Sequence, residues 1–299
     1  MSAGRPRDKP DVLRVMLLGT GRPKPQPGRT GPAALVEAAG KRFVFDCGRC
    51  TLQRLDEAGV PLGELKYLFL THLHSDHIVG IPDFWLTPWI FGRGNDPLRV
   101  WGPEGTRRMM SKLAEAFEFD IHLRRDVDER LDPGGVEVIA EDVEQGLVYE
   151  EDGLRITVFD VDHAPIKPAF GYRIDYAGRS AVLSGDTRYS ENLIEFARGA
   201  DLLVHEVAAA PPEELQRSER LAHIIGHHTS PEEAASVFSQ VKPKVAAFTH
   251  VVSYGIERSA IIERTRAGYA GELVMGEDLM RFEIADEVTV VPPASRESV

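Results

Sequence analysis

The chain reads as an α/β layered protein, and three observations carry that reading. Short β-branched and apolar runs recur along its whole length, stretches with helical spacing lie between several of them, and no Gly- or Ser-rich linker, low-complexity tract or short-period repeat divides the chain. One compact domain over residues 12–291, built from two strand-helix halves, fits this pattern better than two separable units. Residues 1–11 and 292–299, polar and proline-containing, are predicted to be flexible tails.

The predicted strands, in order, are 12–18, 42–45, 67–70, 98–101, 154–159, 180–183, 202–204, 245–248 and 280–284, each a run of apolar or β-branched residues. Between them, good helix formers at helical spacing predict helices over 51–58, 104–117, 191–197, 231–239 and 256–267. The fourth is the best specified. Ser230 stands at its N-cap, Pro231 at the first position and Glu233 at the third, a capping box that leaves His227 and His228 in the loop just before it. The first part of the chain is richer in hairpins and the second alternates more regularly.

Composition excludes several function classes. Lys and Arg number 35 against 47 Asp and Glu, a formal charge of −12 that disfavours a general electrostatic grip on nucleic acid. The two cysteines, Cys47 and Cys50, are too few for a disulfide scaffold and suit a reducing compartment; their CxxC spacing has no second pair to complete a structural zinc site. No apolar run approaches the roughly 18 residues of a membrane span, and residues 1–15 lack the apolar core of a secretory signal. A cytoplasmic protein without membrane partners is the expectation. The ten histidines are the informative count.

The predicted strand 67–70 runs into Thr71-His72-Leu73-His74-Ser75-Asp76-His77, placing three histidines and a carboxylate within six positions. Imidazole and carboxylate suit zinc, and a strand-end loop can turn His72 and His74 one way while Asp76 and His77 face another. Three further candidates follow apolar strands as His72 does: His163, Asp186 and His250.

In this HxHxDH stretch followed by single His, Asp and His residues at later strand ends, the chain resembles the metallo-β-lactamase superfamily over nearly its whole length. The resemblance implies a four-layer αββα sandwich with a dinuclear centre on one edge of its two sheets. It implies His72, His74 and His163 on one Zn²⁺, Asp76, His77 and His250 on the other, and Asp186 bridging them; Mn²⁺ or Fe²⁺ would also suit one of the positions. Leu18-Gly19-Thr20-Gly21, Phe45-Asp46-Cys47-Gly48, Trp101-Gly102-Pro103, Phe170-Gly171-Tyr172, Val204-His205-Glu206 and His228-Thr229-Ser230 are similar to the ribonuclease Z branch and its arylsulfatase-like relatives. That narrower likeness implies a hydrolase in which a metal-bridging hydroxide attacks, His228 protonates the departing oxygen, and Glu206 keeps His228 charged and oriented. Asp76 joins this catalytic set, and a homodimer is compatible with the branch.

Two features turn the expected substrate toward a small anionic or aromatic ester, of phosphodiester, aryl sulfate or lactone type. Bacterial transfer RNA processors of the branch carry a long Gly- and Pro-rich arm between the positions matching His163 and Asp186, where residues 164–185 here suffice for one hairpin; the charge of −12 points the same way. Trp89 and Phe91 lie where Pro88 and Gly92 should end a helix, and Tyr254 closely follows His250, so these three are expected pocket walls. Transfer RNA 3′-end endonuclease is the alternative, and a non-catalytic metal-binding protein of the same fold a second. His122, His205, His223 and His227 are given no ligand role, and the basic cluster Arg22, Lys24 and Arg29 is read as solvent-exposed.

Overall fold

A computed structural model describes residues 12–294, so the predicted tail 1–11 and most of 292–299 lie outside the described residues. The chain opens with a meander, β1 (Leu13–Gly19), β2 (Ala33–Ala38) and β3 (Lys41–Phe45), followed by helix α1 (Thr51–Glu57) and strand β4 (Tyr67–Phe69). Helices α2 (Ser75–Ile78) and α3 (Ile81–Phe91) lead to β5 (Leu98–Gly102). Helices α4 (Thr106–Ala116) and α5 (Glu118–His122) then precede β6 (Val138–Asp142). The second half runs through β7 (Gly146–Glu151), β8 (Leu154–Asp160), β9 (Phe170–Tyr176), β10 (Arg179–Leu183), α6 (Glu191–Ala197) and β11 (Leu202–Ala209). Two short helices, α7 (Pro212–Arg217) and α8 (Glu219–Ile225), come before α9 (Pro231–Val241), β12 (Val245–Ser253), α10 (Arg258–Arg266) and β13 (Leu273–Met275). Strands β14 (Arg281–Ile284) and β15 (Val288–Val291) return to the first sheet.

Among the described residues the strands form an eight-stranded sheet, ordered β15-β14-β1-β2-β3-β4-β5-β6, and a seven-stranded sheet, ordered β13-β12-β11-β10-β9-β8-β7. In each, an antiparallel meander meets a parallel run: β3 to β6 in the first, β10 to β13 in the second. Period-two alternation explains the layering. In β1, Leu13, Val15 and Leu17 face the space between the sheets, and Leu18 faces the helices outside. Three cores result: one between the sheets, one under α1, α3 and α4, and one under α6, α9 and α10. The arrangement is the expected αββα sandwich, and parallel strands buried on both faces account for the nearly continuous apolar runs that marked β11 and β12 in the sequence.

One expected pocket residue is corrected here. Helix α3 does not end at Pro88 but contains it, continuing to Phe91. A proline inside a helix forfeits one amide donor, a loss the surrounding burial outweighs here. Trp89 is therefore turned into the core under α3, 2% exposed, with its indole Nε1 donating to the Asp132 carbonyl at 2.9 Å. It cannot wall a substrate pocket. Phe91 stands 70% exposed at the far end of α3, about 16 Å of helical rise from the end that adjoins α2 and the His-rich loop.

Candidate metal centre

The site is assembled where β4, β8 and β10 release their chains and where His250 sits within β12, at the point where its pairing with β11 shifts register. Two groups of side chains converge there. His72, His74, His163 and Asp186 form one, and Asp76, His77 and His250 the other, with one ligating atom from each residue within 4.8 Å of the rest of its group. All are buried except His74, which is half-buried. Asp186 joins them: its Oδ2 lies 3.8 Å from Nε2 of both His72 and His163 and 3.1 Å from His250 Nε2, while its Oδ1 lies 3.4 Å from His77 Nε2. Asp76 Oδ2 is 3.8 Å from Nε2 of both His77 and His250.

Local backbone makes this convergence possible. Gly48 passes so close to the metal-side loop that a Cβ there would meet the Asp76 carbonyl at 2.5 Å. Asp46 and His250 both hold left-handed φ angles, 58° and 43°, the kind of backbone strain that persists where surrounding contacts enforce it.

The outer nitrogens of the rings are individually held. Asp46 accepts from His77 Nδ1 at 2.8 Å and from the Thr71 amide at 2.8 Å and the Thr71 hydroxyl, and that hydroxyl in turn takes His72 Nδ1 at 2.9 Å. His163 Nδ1 donates to the His227 carbonyl at 3.0 Å, and His250 Nδ1 to the Gly21 carbonyl at 2.7 Å. Each bond leaves Nε2 pointing inward as an acceptor, the tautomer a metal ligand needs. Asp46 and Thr71 were not singled out from the sequence. The available signal was a carboxylate at the end of a buried strand, in Phe45-Asp46-Cys47-Gly48.

The chemistry of this donor set fits cations. Asp76 Oδ2 and His77 Nε2 are buried without a hydrogen-bond partner, a costly state that a bound ion would relieve. Burial and neighbouring imidazoles hold His72 well below the ordinary histidine range, and burial lowers His74 too. Burial opposes charge on His77 and His250 as well, yet Asp186 overrides it and raises both. Asp186 is held well below the carboxylate range by those same two rings, against its own burial.

Beside the clusters stands His228, its ring 5.3 Å from that of His163 and 6.0 Å from that of His250. Its Nδ1 donates to Glu206 Oε2 at 3.2 Å. Burial pulls its pKa down, but the Glu206 carboxylate overrides that and pushes it up to about 9. Glu206 is fixed in turn by the amides of Thr229 at 2.8 Å and Thr187 at 3.4 Å. Strand alternation explains why Glu206 and not His205 serves. Glu206 shares the inward parity of Leu202 and Val204, whereas His205 packs against Phe238 of α9 and donates through Nδ1 to the Glu206 carbonyl. His227, at a pKa lowered to about 4 chiefly by burial, packs edge-on against His223.

Of the basic cluster only Lys24 is exposed as expected, while Arg22 and Arg29 are half-buried. Arg22 donates to the Ser253 carbonyl and lies over the Tyr254 ring at 4.7 Å, and Arg29 donates to Thr20 Oγ1 and, at 3.1 Å, to the Gly276 carbonyl. With Lys24 and Arg258 these residues line an open cavity of about 560 Å³. Tyr254 thus supports the Arg22 guanidinium through its ring face.

A family profile described as "Beta-lactamase superfamily domain" matches residues 41–251. "Ribonuclease Z" of Mycolicibacterium gilvum (strain PYR-GCK) is 37% identical over 288 residues, spanning 94% of this chain and 99% of the relative. "Ribonuclease Z" of Mycobacterium marinum (strain ATCC BAA-535 / M) is 37% identical over 278 residues, 91% of this chain and 99% of the relative. Among solved structures, the metallo-beta-lactamase fold protein YhfI from Bacillus subtilis superposes with a TM-score of 0.72 at 18% identity, covering 91% of this chain and 100% of that one. The short form of human tRNase Z gives 0.65 at 23%, covering 90% and 98%.

These relatives overturn the small-ester reading and its small anionic or aromatic ester substrate in favour of the transfer RNA alternative. The missing arm does not discriminate. An alignment of 288 positions takes in 99% of the first relative, which therefore carries no long segment that this chain lacks. Nor does the charge of −12, because a local group of cations such as Arg22, Lys24, Arg29 and Arg258 acts on a polyanion whatever the sum over the surface.

Proposed function

The chain belongs to the metallo-β-lactamase superfamily, in its ribonuclease Z-like branch, and from that membership we propose that it is an endonuclease cutting precursor transfer RNA at the 3′ end. It is a metal-dependent hydrolase acting on phosphoester bonds. The observation that carries the substrate is the 37% identity to proteins named Ribonuclease Z across 99% of their length. The loop that braces His250 through the Gly21 carbonyl also carries Arg22, Lys24 and Arg29, which with Arg258 line a cationic cavity able to meet an RNA backbone.

His72, His74 and His163 would hold one divalent cation, Asp76, His77 and His250 a second, with Asp186 shared between them. Zinc suits this nitrogen and oxygen set, and manganese or iron would fit it too. When bound, such ions supply Lewis acidity at phosphorus and make water ionisable near neutral pH. The protein's own residues do the remaining work. His228, protonated through neutral pH, gives its proton to the departing oxygen, and Glu206 orients the ring and stabilises its charge. Asp46 and Thr71 keep His72 and His77 in the tautomer that presents Nε2 inward.

Incubating the metal-loaded protein with a precursor transcript bearing a 3′ trailer tests the reading. One cut releasing the trailer is expected, and an intact precursor would refute it.

A further inference from the structure

One buried carboxylate outside the metal centre gathers an unusual number of donors. Asp278 lies between β13 and β14, 8% exposed. Its Oδ1 accepts from the Thr20 amide at 2.9 Å and the Thr20 hydroxyl at 2.8 Å. Its Oδ2 accepts from the Thr30 amide at 2.7 Å, the Thr30 hydroxyl at 3.0 Å, and Arg54 Nε and Nη2 at 3.2 and 3.0 Å. Thr20 and Thr30 are the two ends of the loop between β1 and β2, so a single side chain pins both, and the Arg54 guanidinium of α1 neutralises it.

What that loop carries gives the knot its consequence. Gly21, next to Thr20, supplies the carbonyl that fixes His250 Nδ1 at 2.7 Å, and its own amide donates to the Thr30 carbonyl at 2.9 Å. Arg22 follows, crossing to Ser253 and Tyr254 on the strand that bears His250. Lys24 and Arg29 line the cationic cavity, and Arg29 is itself tied to Thr20 Oγ1, the hydroxyl held by Asp278. The same short loop thus sets one metal ligand and presents the cations.

We propose that Asp278 is a positioning residue that registers the loop 20–30, coupling the placement of its cations to the orientation of His250. The cation half of this inference rests on the reading of RNA as substrate, and the His250 half does not. The loop's path is dictated by a residue 258 positions away in the chain, so the spacing between cations and metal ligand is set by tertiary hydrogen bonds and not by the loop's own sequence.

The test uses the full chain loaded with cobalt(II), whose visible spectrum reports ligand geometry. Asp278→Asn removes acceptors and leaves Arg54 facing an amide. Thr20→Val is the milder variant, deleting one hydroxyl that also holds Arg29 while the Asp278–Arg54 ion pair remains, so its cobalt spectrum, which reports His250, decides the matter if Asp278→Asn does not fold. Asp201→Asn is the control: Asp201 also caps backbone, accepting from the Ser180 amide at 2.8 Å and pairing with Lys244 at 2.9 Å, but far from the loop.

Asp278→Asn should weaken cobalt binding by about tenfold. It should also change the cobalt spectrum and raise KM for precursor RNA by roughly tenfold, while KM for bis(p-nitrophenyl) phosphate moves less than about twofold. Thr20→Val should shift the same readouts in the same direction by smaller factors. Asp201→Asn should lower Tm and leave spectrum and KM unchanged. The proposal is overturned if the folded Asp278 and Thr20 variants lose only Tm, with spectrum, cobalt affinity and KM as in the parent protein. If the parent protein cuts no RNA, the substrate reading fails on its own, and the cobalt spectrum and affinity still decide whether Asp278 positions His250.

Discussion

The first sheet supplies four of the converging side chains from one stretch of six residues, and the second supplies three from separate places in its strands, His163 and Asp186 after strand ends and His250 within β12. The outer supports differ too. His72 and His77 are held by side chains, Thr71 and Asp46, on strand ends of their own sheet. His163 and His250 are held by backbone carbonyls of distant loops, one of them 229 residues away. The first half of the centre is a local motif braced by replaceable side chains. The second exists only once the sandwich has closed, and depends on where whole loops lie.

Removing the group the two halves share should have the largest effect. Asp186→Ala is expected to lower turnover by about 10⁴-fold or more, and metal analysis on the same preparation should show less than two ions per chain. Retention of both ions would mean that each half binds independently, and the comparison above would lose its bridge.

The acid comes next and should separate chemistry from metal binding. His228→Gln should cost roughly 10²- to 10⁴-fold in kcat with metal content unchanged. Because the protonated ring is the active form and its pKa is about 9, activity should fall as pH rises through that value. Glu206→Gln removes the cause of the upward shift, so the falling limb should move to lower pH. A limb that stays in place would show that another group titrates there.

The side-chain brace of the first half gives an intermediate effect. Asp46→Ala should weaken metal binding by about 10- to 100-fold, measured by competition with a chelator. Acidification should weaken it as well, because Asp186 raises the pKa of His77 and His250 and protons then compete for their inward nitrogens. Smallest is the effect at the corrected core position. Trp89→Phe leaves the Asp132 carbonyl without its indole donor and should cost about 1 kcal/mol of stability in urea unfolding, with kcat/KM unaltered.

How much was legible follows the same division. The HxHxDH stretch announced itself because density of metal-binding residues is a local property, while His163, Asp186 and His250 offered only their places after apolar strands until a family resemblance gave them roles. The predicted core strands all exist, since burial on both faces writes long apolar runs. Strand β2, Ala-Ala-Leu-Val-Glu-Ala, was missed because alanine has little strand preference, and β6 and β7 because edge strands exposed on one face carry Glu and Asp. Helices α7 and α8 bury no residue; α7 has no apolar stripe, and the stripe Leu221, Ile224 and Ile225 of α8 is too short to stand out. Pro88 misled for a different reason: proline marks a helix end by propensity, and here tertiary packing carried α3 past it with Trp89 on the inner face. Thr71 and Asp278 have no sequence signature of their own, since each acts through contacts made across strands, whereas Asp46 was signalled only as a carboxylate at the end of a buried strand.

The central claim is that the two halves together form a dimetal centre that cleaves transfer RNA precursors. The most direct test measures kcat/KM for a 3′-extended precursor and for bis(p-nitrophenyl) phosphate on one preparation whose metal content is known. The account predicts two ions per chain, a single cut releasing the trailer, and a kcat/KM for the precursor at least about 10³-fold above that for the small diester, as remote binding energy should give. Efficient hydrolysis of the diester beside an uncut precursor would contradict it.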